Sequence, residues 1–188
     1  MASESQEGTF SPLLRPPLGS SPRIRAIFEK VKYSRSTYHL THSIAEQLRE
    51  AYQLELVWVE LKEAGLTLGI RPSLICISST DASRNRNLEQ TILAKNIDIR
   101  SPSALEFVCS ELGDRKLDCL PIDIGTSVTL SLASEPEYAG QILLIWAKNR
   151  RTKKLLTKDQ QEISTLTSQL LIGALQQEVA NGIWLSFL

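Results

Sequence analysis

Apolar and polar positions follow two rhythms along this chain. Ile24, Ile27, Phe28 and Val31 fall at i, i+3, i+4 and i+7, the spacing of one helical face. Ser34, Ser36 and Thr37 break or bend that helix. A second stripe, Leu40, Ile44, Leu48 and Ala51, resumes the same period. The rhythm then shortens to two. Leu54 to Leu61 (LELVWVEL) sets Leu54, Leu56 and Trp58 on one face of a strand and Val57, Val59 and Leu61 on the other. Both faces are mainly apolar, which predicts a strand inside a sheet. Ser73 to Ser79 reads as a second strand, with Pro72 acceptable at its start and Gly65 and Gly69 in the turn between.

The pattern from Thr80 to Lys116 is less regular. Asp81 to Asn87 is polar and reads as a loop, and Leu88, Ile92 and Leu93 predict a short helix. Ser101 and Pro102 open another, because proline suits the first helical position. Leu105, Val108, Cys109 and Leu112 form its apolar face, and Gly113 ends it. Leu120-Pro121-Ile122 precedes Val128 to Leu132, which alternates as a half-buried strand does. Gly140 starts a further strand, Gln141 to Ala147. A long helix follows from about Thr157, where Thr157 and Gln160 read as a capping box and Asp159 sits where the helix dipole favours an anion. Its stripe is Ile163, Leu166, Leu170 and Ala174, and Leu171, Ile172, Leu175 and Val179 widen the apolar arc.

Composition divides the chain further. Pro12, Pro16 and Pro17, with Gly and Ser between them, make residues 1–21 a disordered lead, and 182–188 a short tail. A helix at 22–35 then precedes one domain at 36–181. The 188 residues carry 21 Lys plus Arg against 21 Asp plus Glu, so no net charge draws the chain to nucleic acid. The longest strongly apolar run, Ile142 to Ala147, is far short of the roughly 20 residues that span a bilayer. No apolar signal region opens the chain, so the expected location is the cytoplasm, or alternatively the plastid stroma. Cys76, Cys109 and Cys119 are odd in number with no close pair, which fits free thiols in a reducing compartment.

The order of a Leu-Pro-Ile segment, a strand that begins at glycine and a Thr-Lys-Asp start to a closing helix resembles the C-terminal half of a GAF domain, over residues 36 to 180. The resemblance implies an α/β fold of the α+β type. A central antiparallel sheet of roughly five or six strands would carry the N- and C-terminal helices on one face and the middle segment, closing over a ligand, on the other. It also implies a non-catalytic sensory or regulatory module, a homodimer formed through the terminal helices, and an output signalling domain or partner protein. The motifs are general to the fold, so the cofactor is unknown.

Cys109, Cys119 and Tyr138 are the cofactor-binding candidates. With Cys76, the thiols define the alternative, a redox-active or iron–sulfur-binding protein. Cys76 sits in an apolar strand and Cys109 on an apolar stripe, so buried packing is the default. Bilin-binding relatives of this fold place histidine directly after a helix cysteine, whereas Ser110 follows Cys109. Free methionine sulfoxide reductases carry Gly-rich and His-containing motifs that this sequence lacks. Lys95-Asn96-Ile97-Asp98 is not the cyclic-nucleotide motif. His39 and His42, both in the N-terminal helix, supply no Ser–His–Asp set, so no catalytic or metal-binding residue is assigned. Lys148, Arg150, Arg151, Lys153 and Lys154 form a basic loop with no interleaved aromatic residue, the mark of a solvated turn.

Overall fold

A computed structural model describes residues 15–34, 36–61, 74–113, 116–125, 138–148 and 155–180, without the side chains at 125, 138, 139, 172, 173 and 175–180. Helix α1, Pro22–Val31, starts where Ser21 accepts a hydrogen bond from the Ile24 N–H at 3.4 Å and Pro22 occupies the first turn. Its whole stripe of Ile24, Ile27, Phe28 and Val31 is buried. The hydroxyl residues that follow break the helix rather than bend it. Ser36 caps a new one, α2, Thr37–Tyr52, by accepting from the His39 N–H at 3.2 Å. Leu40, Ile44, Ala45 and Leu48 are buried along α2. Thr41 lies among them because its hydroxyl donates to the Thr37 carbonyl at 2.6 Å.

Gln53 ends α2 in the left-handed region, at φ 53°. Leu54 precedes the strand, and a bend at Glu55 separates it from the alternation. Leu54, expected on the same side as Leu56 and Trp58, packs instead with Val57 and Val59 on the opposite side. Strand β1 is Leu56–Leu61, buried at every position as a central strand should be. Strand β2 is Leu74–Ser79. A 3₁₀ turn at Ala82–Arg84 leads into α3, Asn85–Lys95, so the polar stretch expected to be a loop is already helical by Asn85. Leu93, expected in the apolar face of α3, is 47% exposed. Helix α4 is Pro102–Leu112, ended by Gly113 at φ 70°. Its deepest residues are Ala104 and Val108, with Leu105, Cys109 and Leu112 half-buried.

Strands β3, Leu117–Gly125, and β4, Tyr138–Ala147, complete a four-stranded antiparallel sheet of order β2-β1-β4-β3. Pro121 lies on β3, the outer strand of those described, where a missing N–H is tolerated. Gly140 on β4 pairs with Leu61 on β1. A Cβ there would sit 2.4 Å from the Glu60 carbonyl oxygen and 2.8 Å from Leu61 Cδ2. Helix α5, Thr157–Ala180, closes the fold. Its start is capped one residue earlier than the expected Thr157–Gln160 pair: the Leu156 N–H donates to Asp159 Oδ2 at 2.9 Å. Ile163, Leu166, Leu170 and Leu171 are buried, and Ala174 packs against them.

The protein is therefore α/β, with five helices and the four-stranded sheet among the described residues. Helices α1, α2 and α5 cover one face, against Val57, Val59, Ile122, Ile124, Ile142 and Leu144. Helices α3 and α4 cover the other, against Leu56, Trp58, Ile75, Ile77, Leu143 and Ile145. The stripe of α1 is covered within the chain, by α2 and α5. Residues from Arg15 to Ser21, grouped by composition with the lead, are fastened to α5: Gln169 Nε2 donates to the Arg15 carbonyl at 3.1 Å and the Ser21 N–H to Glu162 Oε1 at 3.2 Å. The strand expected at Val128–Leu132, the Gly65–Gly69 turn, Trp184 and the tail at 182–188 lie outside the described residues, as do the side chains of Ile172, Leu175 and Val179. No helix among the described residues is long and apolar enough to cross a membrane.

Candidate ligand-binding face

Register sorts the α3/α4 face of the sheet into rows that run across the strands. Residues paired directly opposite project to the same side. One row is Ile75, Glu60, Gln141 and Asp123. The next is Ile77, Trp58, Leu143 and Pro121, and the third is Ser79, Leu56, Ile145 and Cys119. The first row is the polar one, and it lies at the end of the sheet where β1 finishes and β4 begins.

Glu60 is only 5% exposed, in the middle of the sheet, and Gln141 beside it is 6% exposed. Taking a carboxylate out of water costs several kcal/mol unless attraction and hydrogen bonds offset it, roughly. Gln141 Nε2 donates to Asp123 Oδ1 at 2.9 Å, and Arg100 Nη2, from the α3–α4 connection, lies 3.5 Å from the same oxygen. Arg100 and Asp123 are more than half exposed, so this ion pair orders the rim of the row rather than stabilising the fold. In the adjacent row Trp58 is fully buried, and its indole N–H has no hydrogen-bond acceptor among the described residues. A buried donor of that kind is a polar position in an otherwise apolar wall.

The three cysteines are free; Cys109 and Cys119 share one side of the sheet, close enough for one thiol to act on the other, and Cys76 lies apart from them. Cys76 pairs with Val59 and so lies on the α2 side of the sheet. Burial, and secondarily the charge of Glu89, raises its thiol far above the ordinary range. Cys109 and Cys119 both pack on the α3/α4 side. Burial first, then Asp118 and Cys109, raises Cys119 above an ordinary thiol, opposite to what an activated nucleophile needs. Cys119 is two rows from Asp123, about 13 Å along the strand, so the thiols are separate from the polar row. Tyr138 begins β4 opposite Gly125, at the polar end of the sheet, and its side chain lies outside the described ones. No group of three His, Cys, Asp or Glu side chains among the described residues is placed to hold a metal ion. Of the basic loop, Lys148 is exposed, and 149–154 lie outside the described residues.

Glu60, Gln141, Asp123 and Arg100 were not among the residues singled out from sequence. One signal was present: Glu60 is an acidic residue inside LELVWVEL, a stretch whose pattern already placed it in the sheet interior. No family model and no curated protein matches the chain.

Proposed function

We propose that the chain is a non-catalytic regulatory module of the GAF type that receives a small ligand on the α3/α4 face of its sheet and passes its state to an output partner. The layering supports this reading. Terminal helices α1, α2 and α5 share one face and the middle segment covers the other, as the resemblance implies. The expected fifth or sixth strand and self-association through the terminal helices belong to the same proposal.

The observation that carries it is Glu60, a carboxylate buried in the central strand within a row of polar side chains. A stable scaffold gains little from a buried charge there, whereas a binding site gains orientation and specificity. The thiols favour this reading over redox or iron–sulfur chemistry: Cys76 is across the sheet, and Cys119 is held as a thiol.

The test is thermal unfolding of the whole chain against a panel of small metabolites, including amines, amino acids, nucleotides and linear tetrapyrroles. A true ligand at a hundredfold excess over its Kd should raise the midpoint by about 5–10 °C. Glu60→Gln should abolish that rise while unfolding cooperatively. A panel without effect, or a rise that persists in Glu60→Gln, would overturn the proposal.

A further inference from the structure

Strand β2 is an outer strand of those described, and its outward N–H groups need partners. Helix α3 supplies them. Asn85 Oδ1 accepts from the Ser79 N–H at 3.0 Å, and Glu89 Oε1, one turn later, accepts from the Ile77 N–H at 2.8 Å. Two side chains on one helix face thus fasten α3 along the strand edge.

The same Glu89 oxygen faces α2. It lies 3.6 Å from His42 Nε2, beyond hydrogen-bond distance, with only 13% of the Glu89 side chain and 30% of the His42 side chain exposed. His42 Nε2 is buried and has no hydrogen-bond partner among the described residues. The imidazole is held by the ring of Tyr38, edge-on at 4.5 Å between centroids. Among the described residues, Arg86 on α3 and Cys76 on β2 also act on the Tyr38 hydroxyl, His39 packs edge-on against the Tyr38 ring, and Glu46, one turn along α2, is exposed. Glu89 is therefore the carboxylate in contact with His42.

We propose that His42 and Glu89 form a proton-operated clamp that draws α3 onto α2 and the β2 edge when His42 takes up a proton. A proton on His42 turns a non-bonded contact into a charge-assisted hydrogen bond, which needs the two atoms to close by less than 1 Å, roughly. Histidine is the side chain that exchanges protons in the physiological range. The carboxylate would then be fixed from two sides, by Ile77 and by His42. Because α3 is one wall of the face that holds Trp58 and Ile77, the clamp would make the closure of that face respond to pH. The added hold is present while His42 carries the extra proton and is lost when the ring is neutral. The clamp does not depend on the ligand proposed above, and its test uses no ligand.

Amide hydrogen exchange in the full chain reads it directly. The protection factor of the Ile77 amide, corrected for intrinsic rate, should be about threefold higher near pH 5.5 than near pH 8, the size of a partly exposed ion pair. His42→Gln should remove that difference. Glu89→Gln keeps an acceptor for the Ile77 N–H but loses the charge, so it should also remove the difference while retaining protection. Equal protection at both pH values in the wild type, or a difference that survives either substitution, would overturn the clamp. Should a variant fail to fold, the wild type still decides.

Discussion

The two faces of the sheet are cut from the same strands, yet they bury different chemistry. On the α1/α2/α5 side the strand residues next to the helices are apolar nearly throughout, from Val57 and Val59 to Ile142 and Leu144. Two buried polar residues lie on α2, Thr37 and Thr41, the second satisfied within its own helix, and Thr167 on α5 is fully buried with no hydrogen-bond partner for its hydroxyl among the described residues. The α3/α4 side starts with an equally apolar cluster around Trp58 and Ile77 and ends in the row of Glu60, Gln141 and Asp123. The first face can be explained by stability alone, because apolar area removed from water accounts for it. The second cannot, since a hydrophobic residue at position 60 would serve a scaffold at least as well. The proposed ligand face rests on that contrast.

The contrast can be broken most forcefully on the packing side. Leu170 is 3% exposed beneath α5, and Leu170→Ala should cost about 2–5 kcal/mol, read as a lowered urea midpoint. An unchanged midpoint would mean that this face is not the structural one. Gly140→Ala should cost less, about 1–3 kcal/mol, because the new methyl meets backbone at 2.4 Å and β1 and β4 must separate to admit it. Wild-type stability in that variant would show that the two strands are not so closely paired. Asp159→Ala removes the acceptor of the Leu156 N–H and should cost about 1 kcal/mol, with fraying confined to the first turn of α5.

The smallest effect sharpens the comparison through the thiols, which lie on opposite faces. Native-state alkylation should leave Cys76 unlabelled until the protein unfolds, while Cys119 reacts more slowly than a free cysteine at mildly alkaline pH. The sign follows from the raised thiols. The folded state holds their protons above the pH at which the unfolded chain gives them up, so stability falls as pH rises past the ordinary thiol range. Rapid labelling of Cys119, or stability that rises with pH there, would revive the redox reading.

Much of the fold was legible because periodicity reports burial directly. The stripes Ile24–Val31, Leu40–Leu48 and Ile163–Leu170 and the doubly apolar run at Leu56–Leu61 each required cover on definite sides, and each received it. Local hydrogen-bonding chemistry was legible less finely. The cap of α5 moved by one residue, since Asp159 can reach the Leu156 N–H as readily as Gln160 can reach that of Thr157. Leu54 changed face because it stands before the strand, with a bend at Glu55 between it and Leu56, and nothing in the apolar pattern marks where the strand begins.

The candidate site was scarcely legible. Glu60, Gln141, Asp123 and Arg100 are far apart in sequence and become neighbours only through antiparallel register. His42 and Glu89 meet only because α2 and α3 both pack on β2. The sequence by itself determined the five helices, strands β1, β2 and β4 and the buried stripes of α1, α2 and α5, because propensity and periodicity act over a few residues; β3, whose Leu120-Pro121-Ile122 reads only as the lead-in to a strand at Val128–Leu132, was not among them. Tertiary structure decided strand order, the split of the cysteines between faces, and the assembly of the polar row. Those depend on contacts between distant residues, and no local pattern encodes them.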